Sequence, residues 1–141
     1  MMLYPCLLFV PHGYAAAPGR IWPLVIDLHD ASGFGGDAER LRRSGAAKVF
    51  AARGDLPALL VAPHGPEADR TWDLERLERL LAHLRRTYRI APARISLTGA
   101  SAGGAATWKW LMRRPDLFAA GMPVGGTRPS PMRRPGRRSA G

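Results

Sequence analysis

The sequence predicts an α/β fold, a mostly parallel sheet flanked by helices. Three observations carry this reading. Short apolar runs alternate with longer amphipathic ones along the chain. The apolar runs are continuous rather than alternating, as in strands covered on both faces. Strands that alternate with helices of this length connect by crossovers, which make neighbouring strands parallel.

The elements follow in order. Residues 4–11 form a first apolar strand. Residues 22–29 (WPLVIDLH) form a second, after which Gly33, Gly35 and Gly36 break the chain. Residues 37–53 form a helix with Asp37 as its N-cap, and Gly45 is a weak point in its middle. Residues 58–63 (ALLVAP) form a buried strand closed by Pro63. Residues 73–89 give the clearest helix. Leu74, Leu77, Leu80, Leu81, Leu84 and Tyr88 recur on one face, and Glu75, Arg76, Glu78, Arg79, Arg85 and Arg86 fill the other. Residues 94–98 (RISLT) form a short strand, 102–114 a helix ended by Pro115, and 118–124 a last strand. From Gly125 on, Gly, Pro, Arg and Ser dominate without apolar periodicity, so this tail is expected to be disordered.

The chain has 141 residues, one domain's worth, and 46% apolar residues, enough for a core. Its single cysteine excludes a disulfide framework and a cysteine zinc site, and Cys6 reads as a small core hydrophobe. No run approaches the ~20 apolar residues that span a membrane. The formal charge is +10. Five arginines fall in the last 14 residues, and elsewhere charges alternate in sign, as on a solvated helix surface. The skew of 19 Arg against 2 Lys points to codon composition. No arginine–aromatic run or nucleic-acid motif occurs, so nucleic acid is not an expected partner. No Lys or Arg precedes the first apolar run, so it reads as a strand rather than a signal peptide, which implies a cytoplasmic protein.

One motif carries chemistry. Gly99-Ala100-Ser101-Ala102-Gly103 fits G-x-S-x-G, for which chance supplies about 0.08 matches in this composition. It follows a strand and opens a helix, the setting of a nucleophile elbow. A serine on so sharp a turn needs neighbours without bulk two residues before and after, and Gly99 and Gly103 provide them. The helix N-terminus aims N–H groups at the site, the Ala102 N–H among them.

With these residues the chain resembles the α/β-hydrolase fold family. Within it, the chain resembles the esterase and predicted-peptidase branch that includes polyhydroxyalkanoate-depolymerase-like and feruloyl-esterase-like proteins. The resemblance runs from Tyr4 to Gly126. It rests on LLFVPHGY, WPLVIDLHDASGFGGD, ALLVAPHGP, and RISLTGASAGGAATW through RRPDLFAAGMPVGG. It implies a serine hydrolase of carboxylic esters or related acyl bonds, with Ser101 as nucleophile and no cofactor or metal. It also implies an oxyanion loop at Leu28-His29-Asp30-Ala31-Ser32-Gly33, with the Ala31 N–H as second donor beside Ala102. Asp30 stands where the family has glycine. A carboxylate ~4 Å from an oxyanion would oppose it by about 4 kcal/mol at an effective dielectric of ~20.

The family order is Ser, then Asp or Glu, then His, and no histidine follows Ser101. Asp116, the only later acid, falls in the helix-ending turn. His12 lies after the first strand and His83 on the long helix. His29 and His64 are the candidate cleft residues, and His64, at the sheet's carboxyl edge, is the one to weigh as a substitute base. Residues 1–126 therefore read as the N-terminal part of a hydrolase domain and 127–141 as a basic tail of a truncated or frameshifted chain. The alternatives are an inactive remnant or pseudoenzyme, and a basic binding module acting through the tail. The expected partner is a small ester or acyl substrate, with no membrane. The sequence leaves the oligomeric state open.

Overall fold

The computed structural model describes residues 3–130. Five strands form one sheet in the order β1-β3-β2-β4-β5: β1 (Cys6–Phe9), β2 (Trp22–Leu28), β3 (Leu59–Pro63), β4 (Ile90–Ala100) and β5 (Ala120–Val124). β1 runs antiparallel to β3, and every other pair is parallel. Three α-helices pack on the sheet: α1 (Gly45–Ala52), α2 (Leu74–Thr87) and α3 (Ala102–Arg113).

The core lies on both sides of the sheet. On one side Leu24, Ile26 and Leu28 of β2, Leu59 and Val61 of β3, and Ile95 and Leu97 of β4 meet the leucine stripe of α2 and Trp110 of α3. Trp110 is fully buried, packs edge-on against Phe118 at 5.0 Å, and donates its indole N–H to Glu78 at 3.2 Å. On the other side Leu60 and Ala62 of β3 meet Leu41 and Ala47. β3 is buried along its whole length, whereas β2 alternates buried and half-buried positions.

The helix expected over 37–53 is broken. Asp37 caps as expected, accepting from the Glu39 N–H at 2.9 Å, but it caps a 3-10 helix, Ala38–Arg43. Ser44 is extended, and α1 starts afresh at Gly45, whose φ is +59°. At this break the chain meets β2. The half-buried Asp27 carboxylate occupies the place of a Gly45 Cβ and accepts from the Ala47 N–H at 3.3 Å. Any side chain at position 45 would run into that carboxylate, so both the positive φ and the close approach call for glycine.

The first strand is shorter than expected, because Pro5 and Pro11 flank it and cannot donate to a ladder. β4 is longer, since Ile90 already pairs with Trp22 before an irregularity in register. β5 starts at Ala120 rather than 118 and is an edge strand of the described sheet. Residues 127–130 form no helix or strand, and the rest of the expected disordered tail lies outside the described residues. None of the described helices is long and apolar enough to cross a membrane.

Candidate active site

The chain leaves β2 for β3 on one side of the sheet, then crosses back to β4 on the other side of β2. The crevice at the carboxyl ends of β2 and β4 is therefore the topological switch point, where open α/β sheets hold ligands. Leu28 pairs with Gly99, so the loop after β2 and the turn after β4 emerge side by side, about 4.8 Å apart.

Ser101 forms that second turn. It has φ 54° and ψ −110°, and among the described residues it is the only non-glycine with positive φ. Its backbone is held from both sides: its N–H donates to the Val124 carbonyl at 2.8 Å, and its carbonyl accepts from Ala105 at 2.9 Å. The side chain makes no capping bond to α3 and the residue is exposed. The expected glycines are sterically required. A Cβ on Gly99 would run into the Gly103 carbonyl, and a Cβ on Gly103 into that of Leu28. The first turn of α3 is thus pressed onto the end of β2, with Ala102 opening the helix.

The loop after β2 turns through a 3-10 helix at Ala31–Gly33. Asp30, the departure from the family pattern, caps this turn. Its carboxylate accepts from the Ser32 N–H at 2.9 Å and the Ser32 hydroxyl at 2.5 Å. The carboxylate is committed to Ser32, and the Ala31 N–H opens the turn, where no partner exists within the turn.

The two cleft histidines lie at this loop, and both are engaged. His29 Nε2 accepts from the Gly65 N–H at 3.0 Å, and its Nδ1 meets the Asp30 carbonyl at 2.7 Å. His64 is buried, with Nε2 donating to the Gly35 carbonyl at 2.8 Å. The His29 ring packs at a tilt against Trp72 at 4.5 Å and meets Phe34 edge-on at 4.7 Å. Burial holds the His29 pKa below its usual value, nearby His64 lowers it further, and the Asp30 carbonyl partly offsets both. With its proton on Nε2 and held by a backbone carbonyl, His64 keeps Nδ1 as the nitrogen that can accept a proton. His12 packs on Gly54 at the opposite end of β3, and His83 is exposed on α2. Asp116 pairs with Arg114 beyond α3, as its helix-ending place implied. Among the described residues no group of three potential metal ligands gathers.

Three contributors to the site were not read from the sequence. Asp27 lines a cavity of about 60 Å³ beside Ala100, His29 and Asp30, and burial raises its carboxyl pKa. Trp72 donates to the His29 carbonyl at 3.2 Å, and Gly65 clasps His29. Asp27 had a signal, a lone acid inside an apolar strand. Trp72 and Gly65 had none, since their partners are 43 and 36 residues away.

Residues 67–128 match the prolyl oligopeptidase family. Among curated proteins none matches the chain. Several solved structures do. A thermostable esterase is 30% identical over 87% of this chain and 37% of its own, with a TM-score of 0.66. S-formylglutathione hydrolase from Staphylococcus aureus is 14% identical over 86% of this chain and 51% of its own, at 0.68. Acetyl xylan esterase from Aspergillus awamori is 19% identical over 86% and 46%, at 0.65. The chain spans about half the length, or less, of these structures. Sheet order, elbow and these likenesses agree: the fold is that of the α/β-hydrolases.

Proposed function

We propose that this chain supplies the nucleophile and oxyanion donors of a serine hydrolase acting on a carboxylic ester or related acyl bond. The strained Ser101 turn beside the 29–33 loop carries the reading. Backbone strain of this kind costs roughly 1–3 kcal/mol, persists only where the surrounding structure over-determines it, and clusters at functional sites. Ser101 Oγ attacks the acyl carbon. The carbonyl oxygen takes the negative charge and is met by the N–H groups of Ala102 and Ala31, as preorganised donors do in acyl transfer. The likeness to a thermostable esterase supports an ester substrate, and the match to the prolyl oligopeptidase family keeps an amide within the same class.

The serine proton still needs a base. Both ring nitrogens of His29 are bonded, His64 is held to the loop through Nε2, and His12 and His83 lie away from it. In the chain order of such hydrolases the histidine follows the serine, and none follows Ser101, so the proposed base is an imidazole from outside these residues. The commitment of both His29 nitrogens also supports a second reading, a folded chain that keeps the elbow without turning substrate over.

Intact-mass analysis with a fluorophosphonate probe and p-nitrophenyl acetate tests both. A single adduct on Ser101, lost in Ser101→Ala, upholds the nucleophile, and its absence removes it. Sustained p-nitrophenol release dependent on Ser101 favours the hydrolase over the inert chain. A single stoichiometric burst of p-nitrophenol, with the acetyl group retained on Ser101, favours the second reading.

A further inference from the structure

His29 sits between four backbone or ring partners and no solvent-facing task. The Gly65 N–H can only donate, so His29 Nε2 must accept, and the proton of the neutral ring belongs on Nδ1, where it is donated to the Asp30 carbonyl. The same loop is tied to the Gly65 turn by Gly35 N–H to the Gly65 carbonyl at 2.9 Å, and to the end of β3 through His64. We propose that His29 is a positioning residue: its neutral imidazole clasps the 29–36 loop to Gly65, and protonation of that ring opens the clasp. The catalytic meaning of the clasp, alignment of the Ala31 N–H, rests on the function proposed above. The clasp itself does not.

The chemistry is direct. A protonated ring carries N–H on both nitrogens, so Nε2–H would face Gly65 N–H, donor against donor. Desolvation by Trp72 and Phe34 disfavours the charged ring, and so does His64, whose ring centre is 6.0 Å away. Asp30 on the same loop attracts the proton, but its carboxylate is bonded to Ser32. Arg40, from the 3-10 helix, binds the far side of the loop at the Gly35 carbonyl, 3.0 Å away, and Glu67 packs against Gly35. The transition therefore falls below the usual histidine range, and as pH falls through it the loop loses the His29 tie to the Gly65 N–H while the Gly35 tie to the Gly65 carbonyl stays.

The full chain, labelled with nitrogen-15, gives the test by NMR. At neutral pH the His29 ring is expected as the Nδ1–H tautomer and the Gly65 amide as protected from exchange. On acidification, ring protonation and loss of Gly65 protection, on the order of tenfold, are expected in one step. His29→Gln retains an acceptor for Gly65 and cannot be protonated. That variant should keep Gly65 protected through the acid range, while His64→Gln should keep the acid step. An Nε2–H tautomer at neutral pH overturns the proposal. So does Gly65 protection that survives protonation of His29. If His29→Gln fails to fold, the wild-type titration decides alone. Ser101 enters none of these readouts. A chain that shows the clasp but never labels at Ser101 loses the hydrolase reading and keeps this one.

Discussion

The carbonyl oxygen of Leu28 fills the space a Cβ on Gly103 would need. This contact seats the first turn of α3 on the end of β2 and so fixes the Ser101 turn against the 29–33 loop. Gly103→Ala should force the two apart, at a cost of about 1–3 kcal/mol as for overpacked sites. Urea denaturation measures it. A variant as stable as the parent would mean that the elbow is not seated this way.

Ser101 itself holds unfavourable backbone angles. Ser101→Gly should relieve them and raise unfolding stability by about 1 kcal/mol, the low end of such strain because glycine also loses more chain entropy. A loss of stability in the same denaturation experiment would count against stored strain at the elbow.

The break at Ser44 shows what the sequence could and could not disclose. The leucine spacing of α2, the glycines of the elbow and the apolar runs of the strands are local patterns, and each element they predicted is present. At the interruption between the 3-10 helix and α1, Asp27, 18 positions before Gly45, fills a space that only folding creates. The histidine pair is similar. Its place at the site was legible from position after strands, but its role was not, because the bonds that consume its nitrogens reach to Gly35 and Gly65.

Asp27 gives a pH prediction. Burial raises its carboxyl pKa above the ordinary 3.8, partly offset by the N–H groups of Ala47 and Ala46. The folded state therefore holds the proton more tightly than the unfolded state. The associated stability is present below the unfolded value and is lost as pH rises through the folded one. Asp27→Asn keeps a capping oxygen without titrating. Parent stability should fall relative to this variant across that window. Parallel pH dependences for the two would contradict the assignment.

β5 offers a different test. Met122 and Val124 are 63% and 50% exposed and share a face with Thr98 and Ala100, their partners on β4, at an edge of the described sheet. Exposed apolar strand edges promote association. Met122→Lys with Val124→Thr should shift the chain toward monomer in sedimentation analysis and raise its solubility. Equal association in parent and variant would place the sticky surface elsewhere.

The rate of fluorophosphonate labelling at Ser101 against pH, with and without free imidazole, bears most directly on a preorganised serine without a resident base. Expected is labelling confined to Ser101 that climbs steadily with pH, shows no levelling near the ~6.5 of an ordinary histidine, and is accelerated by added imidazole. A plateau near that value, indifferent to imidazole, would mean that one of the four histidines serves Ser101 after all.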